Sequence, residues 1–256
     1  MRRLDCFVTP FLAMTHIPAT AIVTGAGKRV GAELARALLD RGWTVLAHVR
    51  RDDSTVPNGA VTVAAELSEP DCGKRIFAAA QSLPPVRLLV NNAARFAWDG
   101  FGDFSSEEFD AHMRSNVRAP ILLMDELAAR HLGGDALVVN ILDSKLAALN
   151  ADFLSYTVSK QALLGVTELA ARALAGRGIR VNAISPGLML QSRGQTEENF
   201  GAMHARNPLG RGVTAADLVA ALDYLVAART VTGEVLTIDG GQRFNAPVRD
   251  VQFLEP

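Results

Sequence analysis

Short runs of aliphatic and β-branched residues alternate with longer stretches in which apolar residues recur at helical spacing, and the alternation continues along most of the chain. The runs Ala21 to Thr24, Thr44 to Val49, Val61 to Ala65, Leu88 to Asn91, Ala136 to Leu142, Arg180 to Ile184 and Glu234 to Ile238 have the length and branching of strands. Between them, Arg29 to Leu39, Asp71 to Gln81, Glu107 to His131, Asp152 to Ala175 and Ala215 to Ala228 carry the helical period. Ser105 with Glu108 makes a capping box, and Gly133 or Gly176 follows a helical stretch where a left-handed residue is wanted. Strands separated by helices imply βαβ units and a parallel sheet. The expected fold is α/β: a single doubly wound (Rossmann) domain with a seven-stranded parallel sheet and helices on both faces.

No Pro/Ser/Gly-rich linker, charge block or internal repeat divides the chain, so the domain is expected to run from 20 to 244. Residues 1–19 are expected to form a disordered extension. Arg2 and Arg3 followed by an apolar stretch faintly resemble a secretory signal, but Asp5 and Pro10 interrupt it, and cleavage after Ala21 would cut the first strand. Met14 is an alternative start. The tail 245–256, with Phe253 and Leu254 apolar, either reaches a neighbouring subunit or is disordered.

Composition changes this picture little. Hydrophobic residues make up 49%, charged residues 21%, and the formal net charge is -1, which gives no electrostatic case for nucleic acid or an acidic membrane. A small-molecule partner is expected. No apolar run reaches the roughly 18 residues of a membrane span. Two cysteines, Cys6 and Cys72, make no disulfide framework and suit a reducing, cytoplasmic compartment. No metal site is expected.

Three groups of residues carry chemistry. Tyr156 and Lys160 are four apart, which on a helix puts phenol and ammonium on one face, where the cation favours phenolate and makes an acid–base pair. Asp143 lies thirteen residues before the tyrosine, at the end of an apolar run. The stretch Thr24-Gly25-Ala26-Gly27-Lys28-Arg29-Val30-Gly31 follows the first strand and opens the first helix, the setting of a dinucleotide phosphate site. No acid ends the second strand to hold a ribose 2′-hydroxyl; it reads His48-Val49-Arg50-Arg51, and with Lys28 and Arg29 these cations favour a 2′-phosphate and hence NADP(H).

Together with Asn91-Asn92-Ala93, Asn116, Pro186-Gly187, Thr232-Gly233 and Asp239-Gly240-Gly241, which run in order over nearly the whole chain after residue 19, these residues resemble the short-chain dehydrogenase/reductase family. The resemblance implies that Tyr156 protonates the substrate, that Lys160 holds the nicotinamide ribose and lowers the tyrosine pKa, and that Asn116 anchors a water relay. It places Gly25, Lys28, Arg29, Val30, His48, Arg50, Arg51, Asn92, Ala93, Pro186 and Gly187 on the cofactor, with Glu66 and Leu67 beside the adenine. Arg87 stands where the family usually has an aspartate. A homotetramer pairing the helices Glu107 to His131 and Asp152 to Ala175 is also implied.

Arg29 replaces the middle glycine of the loop, Asp143 stands in the place of a catalytic serine, Phe96 follows Asn92 by four, and Leu188 follows Pro186-Gly187. This set resembles the pteridine reductase branch, which implies that Phe96 and the nicotinamide sandwich a pterin and that Arg29, Asp143, Tyr156 and Leu188 face it. An acid at 143 suits reduction of a ring C=N, whose nitrogen must gain a proton, provided its pKa is raised; an ionised carboxylate would oppose phenolate formation. Ser144, next door, is the alternative serine, and Trp98 competes with Phe96 as the stacking ring. Leu188 to Pro208 lacks strong periodicity and is expected to be a mobile substrate lid that Met189, Leu190 and Met203 line. Two other readings stand beside NADPH-dependent pterin reduction: a carbonyl (ketone or 3-oxoacyl) reductase of the same fold, and a non-catalytic dinucleotide-sensing protein.

Overall fold

The computed structural model describes residues 18–52, 54–192, 194–245 and 247–255; Cys6, Met14 and the signal-like stretch lie outside them. Seven strands, β1 (Thr20–Val23), β2 (Thr44–Val49), β3 (Val61–Ala64), β4 (Val86–Asn91), β5 (Ala136–Ile141), β6 (Ile179–Pro186) and β7 (Val235–Ile238), form one sheet in the order β3-β2-β1-β4-β5-β6-β7. Every pairing is parallel. The helices are α1 (Arg29–Asp40), α2 (Cys72–Ala79), α3 (Ser106–Met113), α4 (Ala119–Arg130), α5 (Leu154–Leu174), α6 (Glu197–Ala205) and α7 (Ala215–Ala227).

The strands are apolar on both sides because both sides are covered. On one face Ala21, Val23 and Val90 pack with Leu34 and Leu38 of α1 and Leu218 and Leu222 of α7. On the other, Ile22, Leu46 and Leu89 pack with Ile76 and Phe77 of α2 and Leu123 and Leu127 of α4. Full burial stabilises each such side chain by about 1.5–3 kcal/mol, so these two layers hold the strand ends that build the site. Chain order reverses between β1 and β4, which opens the crevice at the carboxyl ends of the strands.

Two sequence expectations need correction. The long helix over Glu107 to His131 is broken into α3 and α4 by a π turn at Arg114–Arg118. Pro120, in the first turn of α4, has no N–H for the Asn116 carbonyl, and the wider turn absorbs that missing bond. The segment after β6, read as lacking strong periodicity, contains α6, whose first turn is capped by the Thr196 side chain. Met203 of α6 is buried, and the buried amides of Gln195 and Asn199 tie the segment together.

Candidate active site

The glycine turn is fixed from both sides. Asn92, just after β4, donates from Nδ2 to the Thr24 carbonyl at 2.8 Å, and the Thr24 hydroxyl accepts from the amides of Asn92 and Ala93 at 2.9 and 3.0 Å. On the β2 side Gly25 N–H donates to His48 Nδ1 at 3.2 Å. Gly25 sits at φ +68, and a Cβ at Gly31 would fall on the Gly25 carbonyl and within 2.6 Å of Asn92 Nδ2. Gly31→Ala should therefore push the turn away from α1. We expect a loss of about 1–3 kcal/mol in thermal unfolding, accompanied by weaker dinucleotide binding in calorimetric titration.

Arg29 occupies the left-handed region at φ 53, where a glycine would be unstrained. Its guanidinium offsets that strain by donating to the Gln191 carbonyl at 3.0 Å, joining the turn to the segment after β6. Lys28, Arg50 and Arg51 are exposed around the turn. Arg50 is held at 2.7 Å by Glu66, whose other oxygen accepts from Ser68 N–H. An α1 N-terminus with a glycine at the closest approach and exposed cations beside it fits the pyrophosphate and 2′-phosphate of a dinucleotide. Leu67 is a buried core residue, packed with Ile76 and Leu123. His48 is also buried, at 2% exposure, and its ring is used inside the protein.

A cavity of about 340 Å³ opens at the strand ends and brings together Arg29, Val30, Asn92, Phe96, Asp143, Tyr156, Lys160, Pro186, Gly187 and Leu188. Tyr156 Oη donates to Asp143 Oδ2 at 2.9 Å, which identifies Asp143 rather than Ser144 as the tyrosine's partner. The opposite oxygen, Oδ1, accepts from Lys145 N–H at 2.9 Å, so the carboxyl is held in one orientation. Desolvation raises the Asp143 pKa above the usual carboxylate range. Lys160 Nζ donates to the Ile141 carbonyl at 2.6 Å and stands 5.7 Å from the Tyr156 ring. Burial lowers its pKa to about 8.

In this arrangement the largest influences on the phenol are burial and Asp143. Burial, followed by the neighbouring Asp143 charge, raises the Tyr156 pKa well above its ordinary value. The lysine is spent on a backbone carbonyl, whereas the carboxyl contacts the phenol directly. The hydroxyl is therefore a neutral donor, and the pair holds its proton between Tyr156 and Asp143.

Phe96 lines the cavity and is 45% exposed; Trp98 does not line it. One face of Phe96 is stacked on Phe153, with ring centroids 4.4 Å apart, and the ring stands perpendicular to that of Tyr156, with centroids 4.7 Å apart. Phe153 sits left-handed at φ 57 at the start of α5, and Phe253 of the tail stacks behind it at 6.0 Å. The rings form a column running from the tail to the cavity.

Asn116 does not line the cavity. It is buried in the π turn, where Oδ1 accepts from Arg95 N–H at 2.7 Å and Nδ2 donates to the Arg95 carbonyl and to Ser159 Oγ at 3.0 and 2.9 Å. It clamps the loop after β4 to α5. Arg87, unexplained by sequence, donates to the Gly133 carbonyl and packs on Gly134.

Sequence reasoning missed Lys145, Gln242, Arg243, Asp250 and Val251, which also line the cavity. The tail, left open between a neighbouring subunit and disorder, folds onto its own chain. Arg249 pairs with Asp152 at 2.8 Å, Lys145 with Asp250 at 3.2 Å, and the Leu254 carbonyl accepts from Asn199 at 2.6 Å. Only the motif Asp239-Gly240-Gly241 pointed here: Asp239 holds Arg243, and Gln242 Oε1 accepts from Leu188 N–H at 2.8 Å.

A family model described as enoyl-(acyl carrier protein) reductase matches residues 25–243. The L-xylulose reductase of Mesocricetus auratus is 32% identical over 235 residues, covering 86% of this chain and 95% of its own. Pteridine reductase 1 of Leishmania tarentolae is 31% identical over 285 residues, covering 89% and 98%. Among solved structures, the FolM alternative dihydrofolate reductase 1 from Brucella suis, in complex with NADP, superposes with a TM-score of 0.81 at 32% identity, covering 90% of this chain and 96% of its own.

Proposed function

We propose that this chain, which belongs to the short-chain dehydrogenase/reductase family and is an oxidoreductase of that type, uses NADPH to reduce a ring C=N of a pterin or a similar dihydropteridine. The observation that carries this reading is the 2.9 Å bond between Tyr156 and Asp143 in the cavity that Phe96 and Arg29 also line. NADPH, when bound, supplies the hydride. Lys28, Arg50 and Arg51 are the cations for its 2′-phosphate, the α1 turn receives the pyrophosphate, and Pro186, Gly187 and Lys160 border the nicotinamide end.

Reduction of C=N adds hydride to carbon and one proton to nitrogen. Tyr156 Oη gives that proton to the ring nitrogen, and the raised Asp143 carboxyl restores it to the phenol, leaving a carboxylate to be reprotonated from solvent. Lys160, fixed on the Ile141 carbonyl, supplies positive charge beside the phenol while its proton is away. Phe96, backed by Phe153, offers the part of its ring exposed in the cavity to the flat substrate. The resemblance to pteridine reductase 1 and to the FolM protein supports this substrate class.

A carbonyl substrate is the second reading, favoured by the match to L-xylulose reductase; Asp143 then only orients Tyr156. NADPH oxidation measured with dihydrobiopterin, dihydrofolate and simple ketones separates the two. Phe96→Ala should raise KM for the pterin by about tenfold, the equivalent of about 1.4 kcal/mol of stacking, and leave ketones unchanged. Preference for ketones with no effect of the alanine would reject the pterin reading.

A homotetramer pairing α3–α4 with α5 is part of the same proposal. Ile121, Leu164 and Leu169 leave apolar surface on those helices, which supports it. A cytoplasmic location is likewise proposed. Among the described residues, no helix is long and apolar enough to cross a membrane.

A further inference from the structure

His48 lies at the second-last position of β2, and its ring bridges two loops. Nδ1 accepts the Gly25 N–H at 3.2 Å, and Nε2 faces the Ala65 carbonyl at 2.9 Å. The backbone carbonyl of the same residue accepts Ala26 N–H at 2.9 Å. A carbonyl opposite Nε2 and a donor opposite Nδ1 fit one form of the ring, the neutral imidazole with its proton on Nε2. One residue thus holds the consecutive amides of Gly25 and Ala26, on the side of the turn opposite the Asn92 clamp.

At 2% exposure the ring does not meet a ligand itself. We infer that His48 is a positioning residue, whose unprotonated Nδ1 sets the phosphate-binding turn and whose protonation loosens dinucleotide binding in acid. A proton on Nδ1 would face the Gly25 N–H donor to donor, and the turn must then move. Of the elements packed around the ring, β1 and the residues up to Gly25 carry no ionisable group, the end of β2 carries Arg50, and the turn after β3 carries Glu66, which Arg50 holds at 2.7 Å. Desolvation lowers the His48 pKa, opposed by the Ala65 carbonyl and by Glu66. The neutral ring is thus the folded form: its contribution is complete above the ordinary histidine pKa of about 6.5 and is lost only as the pH falls through the lower folded value, where the ring takes up its proton.

This inference rests on the turn being a dinucleotide site, so the experiment reads NADP⁺ binding directly, by calorimetry on the full chain between pH 8 and pH 5, with folding checked by circular dichroism at each pH. His48→Asn keeps an acceptor near Gly25 without titrating, and His48→Leu removes it. Between pH 8 and pH 5, wild type should weaken by about tenfold more than His48→Asn, because protonation of the 2′-phosphate is common to both and cancels. His48→Leu should bind about tenfold more weakly at pH 8, the loss expected for an amide left without its acceptor. Parallel pH profiles for wild type and His48→Asn, or tight binding by His48→Leu, would overturn the inference. Should His48→Leu fail to fold, the ratio of wild type to His48→Asn decides alone. Absence of NADP⁺ binding by wild type at any pH would remove the cofactor reading and this inference with it.

Discussion

Tyr156→Phe should lower kcat by about 10²–10⁴-fold, the range of a positioned general acid, while NADP⁺ affinity stays within a factor of a few. The phenylalanine keeps the perpendicular ring contact with Phe96 and removes only Oη, the atom 2.9 Å from Asp143. Steady-state rates combined with calorimetric binding separate the two effects. A variant that retained more than a tenth of wild-type turnover would mean that the proton reaches the substrate by another route. The fall should not be repaired in alkali, because the wild-type phenol is already neutral across the working range, its pKa being raised by burial and by Asp143.

Asp143→Ser should cut kcat/KM for a dihydropterin by about a hundredfold, again within the range of proton-transfer catalysis, yet leave ketone reduction intact or improve it. The sign of the pH dependence follows from the raised carboxyl pKa. Only the protonated acid can restore the phenol's proton, so wild-type activity on C=N should fall as the pH climbs through that pKa, and Asp143→Ser should lose this limb. Stability moves the same way. Between the ordinary value of 3.8 and the raised folded value, the native state binds more protons than the unfolded chain, so wild type loses stability as pH rises. Asp143→Asn should accordingly melt higher than wild type at pH 8, with the advantage shrinking in acid. Equal melting temperatures at pH 8 combined with unchanged pterin turnover would show that the carboxyl neither carries a desolvation cost nor feeds the tyrosine.

The sheet was legible because its signal is local. Each strand is a short apolar run, and each crossover carries a 3.6-residue period. Of the residues that meet at the strand ends, Tyr156, Lys160 and the α1 turn were legible because type and spacing carry their chemistry, whereas Asp143 and Phe96 were legible through the resemblance to the pteridine reductase branch. Less visible were features decided by a single missing bond, such as the π turn that Pro120 imposes on Asn116, and by contacts between distant segments. Nothing local in the tail marks Arg249 and Asp250 as partners of Asp152 and Lys145. Helix α6 escaped because its nine residues carry no clear apolar face, and it is held instead by a threonine cap and buried amides. The resemblance placed His48 and Leu67 on the cofactor; the side chain of the first bonds backbone groups and that of the second packs in the core, environments that local sequence does not reveal.

The column of Phe96, Phe153 and Phe253 has a consequence for how selectivity can change in such a molecule. The surface that receives a flat ring is assembled from three remote stretches of chain, the rearmost contributed by the carboxyl terminus. Exchanges at Phe253 can therefore retune which ring shapes are accepted, while the nucleotide cradle, built around the first strand and helix, stays as it is.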